Sequence, residues 1–229
     1  MVDLVILDCD GVLADTEPIA AAVFEEMAAD LGVRLTDAEL AEMHNGGKFS
    51  IALAALEARL GTGRRLPMNF VPAFRARSFA RFRETLRPID GVADTLRRLR
   101  EGGRRTCVAS NGPRAKVELI IEVCGLADLM SDGVHSAYEA EIWKPDPAFF
   151  RWVALRCGAR PDRCVVVDDS TLGIEAGVGA GMHAVLYDAD RTLWNLLTED
   201  ARRRARVLHG MDRLDTLVNE IEAASLGAV

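Results

Sequence analysis

The chain has 229 residues, of which 49% are hydrophobic and 28% charged, and its 35 acidic residues outnumber 28 lysines and arginines to give a net charge of −7. This composition excludes a disordered protein, and the acidic balance disfavours binding to nucleic-acid phosphates. No apolar stretch reaches the ~20 residues of a membrane-spanning helix, and the first residues show no basic, cleavable leader. We therefore expect a cytoplasmic protein that binds neither membranes nor nucleic acid. Five cysteines without CxxC spacing argue against a disulfide framework or a zinc knuckle.

Four short apolar runs predict the strands of a parallel sheet. Residues 4–7 form a continuous apolar run, which is typical of a strand that is buried on both faces of a sheet. Helical patterns separate this run from three others, at residues 106–109, 164–167 and 184–187. The alternation favours an α/β protein with a doubly wound parallel sheet, in which ligands bind at the carboxyl ends of the strands.

A wholly helical stretch follows the first predicted strand. Between residues 15 and 87 the apolar residues recur at helical spacing, and Thr36 with Glu39 predicts a capping box at the start of one helix. The α/β pattern then resumes. We therefore expect two domains, namely a core of residues 1–14 and 88–229 that contains the predicted sheet, and an inserted helical domain of residues 15–87.

Four polar segments stand where a doubly wound sheet has its ligand site. They are Asp-Cys-Asp-Gly at residues 8–11, Ser-Asn-Gly at 110–112, Lys-Pro-Asp-Pro at 144–147 and Asp-Asp-Ser at 168–170. Because the carboxyl ends of parallel strands meet at one edge of a sheet, these distant segments are expected to converge.

The charges of these segments predict a bound cation and an anionic substrate. The acidic residues concerned are Asp8, Asp10, Asp168 and Asp169. Four carboxylates in one crevice repel one another, and hard oxygen ligands suit Mg²⁺, which also takes a substrate phosphate as a ligand. Lys144 adds a positive charge and Ser110 a hydroxyl donor. A small phosphate monoester would satisfy such a site.

In this order, the four segments resemble the motifs of the haloacid dehalogenase superfamily, in its phosphatase and phosphomutase branch with an α-helical cap. The resemblance covers residues 1–15 and about 88–187, and the insert matches the cap in its position and helical character. Segments 110–116, 143–147 and 167–170 look most like bacterial 6-phosphogluconate phosphatases. The resemblance implies a Mg²⁺-dependent phosphatase of a small phosphorylated sugar or sugar acid.

The resemblance also implies catalytic and metal-binding roles. Asp8 would be the nucleophile that forms a phosphoaspartyl intermediate, and Asp10 would be the general acid and then the general base. Asp8, the main-chain oxygen of Asp10, and Asp169 would hold Mg²⁺, and Asp168 would help directly or through water. Lys144 would balance the charge of Asp8.

Substrate-binding residues are implied in the same way. Ser110, Asn111 and Lys144 would bind the transferred phosphoryl group. Lys48, in a Gly-Gly-Lys turn of the insert, would contact a second anionic group of the substrate. A solvated surface lysine is the alternative interpretation of Lys48.

The sequence motifs also allow other functions. β-Phosphoglucomutases share the four motifs, but they have a histidine five positions after the aspartate that corresponds to Asp15. This chain has Ala20 at that position. Phosphoglycolate phosphatase is another alternative. A haloacid dehalogenase is disfavoured because that branch lacks the second aspartate, here Asp10. The non-enzyme alternative is a phospho-acceptor receiver module, but receivers place the acidic pair first and have no helical insert.

Overall fold

The computed structural model describes residues 1–41, 49–61 and 63–226. The strands are β1 (Leu4–Leu7), β2 (Arg105–Ser110), β3 (Val134–Ser136), β4 (Cys164–Asp168), β5 (His183–Tyr187) and β6 (Ala205–Leu208). The helices are α1 (Glu17–Asp30), α2 (Asp37–Ala41), α3 (Phe49–Leu60), α4 (Phe70–Thr85), α5 (Val92–Glu101), α6 (Arg114–Val123), α7 (Ala137–Ala140), α8 (Ala148–Arg156), α9 (Thr171–Ala180), α10 (Glu199–Arg204) and α11 (Leu214–Leu226). Within the described ranges, none of these helices has the length and apolar character to cross a bilayer.

The chain divides into two compact units. One consists of Met1–Ala14 and Arg87–Val229, and the other of Asp15–Leu86. The first unit contains the whole sheet, and the second contains helices α1 to α4.

All six strands of the sheet run parallel, in the order β3-β2-β1-β4-β5-β6. The predicted doubly wound α/β fold is thereby confirmed. β1 lies between β2 and β4, and its four residues are at most 1% exposed, as the continuous apolar run indicated. Leu7, the last residue of β1, is in register with Val108 of β2 and Val167 of β4. The residues that follow these strands therefore emerge side by side.

The helical unit has a core of its own. Phe24 of α1 meets Phe49 of α3 and both Phe70 and Phe74 of α4 edge-on, each with 5.9 Å between ring centroids. These aromatic contacts and the aliphatic residues around them tie three helices together.

The predicted capping box before α2 is confirmed. The Thr36 backbone N–H donates to Oε2 of Glu39 at 2.8 Å, and the Glu39 N–H donates to Oγ1 of Thr36 at 3.3 Å. The two side chains thus satisfy N–H groups that the start of a helix leaves without partners.

The chain leaves and re-enters the α/β unit at neighbouring positions. Ala14 and Pro88 form an antiparallel bridge, and the Ile89 N–H donates to the Leu13 oxygen at 2.9 Å. The 72 residues of Asp15–Leu86 are therefore an insertion whose two ends are held next to each other.

Candidate active site

Asp8 and Asp168 lie side by side at the carboxyl ends of the central strands. Asp8 directly follows β1, and its backbone N–H donates to the Val167 oxygen at 2.9 Å, which continues the ladder with β4. Asp168 is the last residue of β4 and is 1% exposed. The parallel register, set by the apolar strands, therefore positions both carboxylates.

Lys144 lies between these two carboxylates. Its Nζ is 2.6 Å from Oδ1 of Asp8 and 2.7 Å from Oδ2 of Asp168, and its side chain is 4% exposed. The ammonium also lies 5.4 Å from the ring centroid of Phe150, which covers it from solvent. One buried cation thus neutralises part of the charge of two carboxylates.

The side chain of Asn111 positions Lys144 through its backbone. Oδ1 of Asn111 accepts from the Lys144 N–H at 3.0 Å, and Nδ2 donates to the Lys144 oxygen at 3.4 Å. These contacts link the segment after β2 to the Lys144 segment, a role that the sequence did not indicate. The substrate contact predicted for Asn111 stays a prediction.

The carboxylate of Asp168 accepts several hydrogen bonds. Its Oδ1 accepts from the backbone N–H of Ser170 at 2.9 Å and from its hydroxyl at 2.6 Å, while Oδ2 pairs with Lys144. Ser170 in turn caps α9, because its Oγ accepts from the Gly173 N–H at 3.0 Å. Asp168 therefore holds Lys144 in place and fixes the turn into α9.

Two glycines make room for the carboxylates. A Cβ atom on Gly11 would lie 1.7 Å from Oδ2 of Asp169, and the backbone there has φ +73°, which favours glycine. A Cβ atom on Gly173 would lie 1.9 Å from Cγ of Asp168. The glycines of both motifs are therefore required by the close approach of an acidic side chain.

Asp10 forms an ion pair with Lys116, for which the sequence analysis predicts no role. Nζ of Lys116, in the first turn of α6, lies 2.7 Å from Oδ1 of Asp10. Burial alone would lower the pKa of Lys116, but the Asp10 carboxylate outweighs this effect and raises it. Lys116 stands six residues after Ser110, and this spacing alone does not indicate a contact with Asp10.

The titration of Asp8 is strongly perturbed. Burial raises the pKa of Asp8 from 3.8 to about 7, with a smaller contribution in the same direction from Asp168 and Asp10, although Lys144 opposes the shift. Burial would also lower the pKa of Lys144, but Asp168 and Asp8 outweigh it and raise that pKa. Burial raises the pKa of the Cys9 thiol, which excludes a thiolate nucleophile there.

Three carboxylates of the site have the geometry and chemistry of a divalent cation site. Oxygens of Asp8, Asp168 and Asp169 lie within 4.8 Å of one another. Hard oxygen donors of this kind suit Mg²⁺, whose positive charge would favour the ionised form of the buried Asp8. The donor set therefore fits the predicted Mg²⁺, whereas a ligand role for the Asp10 main-chain oxygen stays a prediction.

Two predicted site residues remain, Ser110 and Lys48. Ser110 is the last residue of β2, is 2% exposed, and its Oγ accepts from the Gly112 N–H at 3.0 Å. It therefore lies at the same edge of the sheet as Asp8. Lys48 lies outside the described residues, so its contact with substrate stays a prediction.

The chain is similar in sequence and structure to known phosphatases and hydrolases. The chain is 28% identical over 191 residues to 6-phosphogluconate phosphatase of Escherichia coli, covering 82% of this chain and 84% of the relative. It is 27% identical over 182 residues to fructose-1-phosphate phosphatase of the same organism, covering 79% and 93%. A HAD family hydrolase from Deinococcus radiodurans, crystallised with phosphate and sodium bound, is 30% identical with a TM-score of 0.73, and the alignment covers 96% of each chain.

The family model of haloacid dehalogenase-like hydrolases matches residues 2–181, which include all four polar segments. The match and the relatives confirm the predicted enzyme class, a phosphatase of the haloacid dehalogenase type. The chain belongs to the haloacid dehalogenase-like hydrolase family.

Proposed function

We propose that this protein is a Mg²⁺-dependent phosphatase that hydrolyses a small phosphorylated sugar or sugar acid, with 6-phosphogluconate as the first candidate. The observation that carries the proposal is the buried Lys144 ammonium between Asp8 and Asp168, beside the carboxylate of Asp169. The similarity to phosphatases of 6-phosphogluconate and fructose 1-phosphate supports the choice of substrate class.

The first half of the reaction transfers the phosphoryl group to Asp8. An oxygen of the Asp8 carboxylate attacks phosphorus in line with the leaving oxygen, and the ester P–O bond breaks. Asp10 gives a proton to the departing alkoxide. Lys144, held by Asp168, contacts Asp8 and is positioned to stabilise the transferred oxygens.

The second half returns the enzyme to its starting state. Asp10, now ionised, takes a proton from a water molecule that attacks phosphorus of the phosphoaspartyl group. The P–O bond to Asp8 breaks, and inorganic phosphate leaves. Mg²⁺ held by Asp8, Asp169 and the main-chain oxygen of Asp10, with Asp168 helping directly or through water, would supply positive charge that favours ionised Asp8 and neutralises the phosphoryl oxygens.

We further propose that the helical unit Asp15–Leu86 determines which substrate is accepted. The residues at the strand ends act on the phosphate group, which all phosphate monoesters share. The insert has a separate aromatic core, so its surface can vary without disturbing the sheet. Discrimination between a sugar and a sugar acid therefore has to come from side chains outside the four motifs.

A panel of phosphorylated metabolites tests the proposal. Phosphate release is measured with Mg²⁺ and with EDTA on 6-phosphogluconate, phosphoglycolate, sugar 6-phosphates and β-glucose 1-phosphate, and the last is also assayed for glucose 6-phosphate. We expect Mg²⁺-dependent release with a strong preference for 6-phosphogluconate or another sugar phosphate. Conversion of β-glucose 1-phosphate without release would show a mutase, and no reaction on the whole panel would contradict the proposal.

Replacing Lys116 by methionine is expected to lower kcat by up to about 100-fold with little change in KM. The lysine pairs with the carboxylate of Asp10 at 2.7 Å and fixes the orientation from which that group exchanges protons with the leaving group and water. Steady-state kinetics on the preferred substrate check this result. Lys116→Arg, which keeps the charge, should recover part of kcat. An equal kcat in Lys116→Met and wild type would show that Asp10 does not depend on this partner.

A further inference from the structure

A second group of metal-binding side chains lies in the α/β unit, apart from the acidic site. It consists of Cys107 on β2, His135 on β3 and Cys157, which directly follows α8. One donor atom from each lies within 4.8 Å of the other two, and all three residues are buried. We refer to these three residues as the Cys-His-Cys cluster.

We propose that the Cys-His-Cys cluster binds one Zn²⁺ ion. Sγ of Cys157 and Nε2 of His135 are already 3.3 Å apart. In a tetrahedral zinc site with Zn–S of about 2.3 Å and Zn–N of about 2.0 Å, those two donors would be about 3.5 Å apart. Cys157 and His135 therefore need only small shifts to receive the ion, and the Cys107 donor lies within 4.8 Å of both.

The donor types distinguish this cluster from the acidic site. Two sulfur atoms and an imidazole are ligands that zinc prefers, whereas Mg²⁺ prefers the oxygens of Asp8 and its neighbours. Cys107 stands three residues before Ser110 on β2, or about 10 Å along the strand. The two sites share no residue, so each can be occupied without the other.

The imidazole of His135 packs against Trp152, and its Nε2 now faces the main-chain oxygen of Asp132. The two rings meet edge-on with 5.7 Å between their centroids, and Nε2 lies 3.1 Å from the Asp132 oxygen. His135, Trp152 and Asp132 also line a cavity of about 410 Å³. This cavity gives an ion a path to His135. Water or the Asp132 oxygen would complete four ligands.

Binding would exchange protons for the ion. Each thiol binds zinc as a thiolate, so both thiol protons pass to solvent, together with the Nε2 proton when His135 carries it there. No oxidant or reductant takes part. The spacing of these residues in the sequence, 28 and 22 positions apart, matches no zinc motif, so only the fold brings them together.

Titration with Co²⁺ and Zn²⁺ tests the site. The full-length protein is reduced, treated with EDTA, freed of chelator and titrated with Co²⁺ in the presence of excess Mg²⁺. We expect one equivalent of Co²⁺ to give the near-ultraviolet absorption of thiolate bound to cobalt, and one equivalent of Zn²⁺ to remove it. Cobalt bound by the acidic site has only oxygen ligands and gives no such band.

Variants assign the band to the cluster. Cys107→Ser, Cys157→Ser and His135→Gln should each weaken or abolish it, with folding checked by circular dichroism. Cys124→Ser is the matched control, because Cys124 follows α6 and belongs to neither donor set. Asp8→Asn should keep the band, which separates this proposal from the proposed phosphatase function. Absence of the band in wild type, or its persistence in both cysteine variants of the cluster, overturns the proposal.

Discussion

Replacing Asp8 by asparagine is expected to lower phosphate release by more than about a thousandfold. The amide has the shape of the carboxylate but cannot form the phosphoaspartyl group. Lys144 keeps its contact with Asp168 at 2.7 Å, so the site retains its buried ion pair. Turnover of the preferred substrate with Mg²⁺ measures the loss. Retained activity would remove Asp8 as the nucleophile.

The same Asp8→Asn variant should be at least as stable as wild type without metal. The folded pKa of Asp8, about 7, is above its ordinary 3.8, so ionisation of this carboxyl opposes folding as pH rises from 4 to 7. The asparagine lacks that penalty. Thermal unfolding in EDTA should therefore show a higher Tm for the variant at pH 8 and no advantage near pH 4. A lower Tm at pH 8 would contradict the sign of the shift.

Replacing Lys144 by methionine is expected to abolish activity and to lower the free energy of unfolding by about 3–5 kcal/mol at pH 8. The substitution leaves Asp8 and Asp168 adjacent and without the ammonium that now contacts both. The pKa of Asp8 then rises further, because Lys144 no longer opposes its upward shift, so protonation of Asp8 at lower pH relieves the repulsion. Urea unfolding in EDTA should therefore show a smaller loss at pH 5 than at pH 8.

Lys116→Met is the matched control for this stability effect. It removes the other lysine of the site, but that side chain is 26% exposed and pairs with Asp10, which is 23% exposed. Solvent screens such a pair, so its loss should cost about 1 kcal/mol or less. If both variants lose the same free energy of unfolding, then burial of Lys144 does not determine its contribution to stability.

The inner strands follow from the sequence, and the outer strands do not. β1, β2, β4 and β5 were predicted because their residues form apolar runs, as expected of strands covered on both faces. β3 has only three residues and contains His135, so it shows no apolar run. β6 follows three arginines and is partly exposed at the edge of the sheet, and a strand in such a position needs few apolar residues.

The residue types of the site follow from its motifs, whereas the contacts between them do not. Order and spacing predicted acidic, hydroxyl and lysine side chains at one edge of the sheet. The pairing of Lys116 with Asp10, and the bonds from Asn111 to the Lys144 backbone, depend on where helix α6 and the loop before α8 lie in space. Sequence spacing carries no information on such side-chain contacts between distant segments.

The bridge between Ala14 and Pro88 has a consequence for how this protein can evolve. The ends of the insert are already neighbours, so doubling its length adds only about 0.6 kcal/mol of loop-closure entropy. Insertions, deletions or a replacement of the helical unit therefore place little thermodynamic burden on the sheet. If the helical unit selects the substrate, as proposed, new preferences can arise there while the register of β1 and β4, and with it the alignment of Asp8 and Asp168, is inherited unchanged.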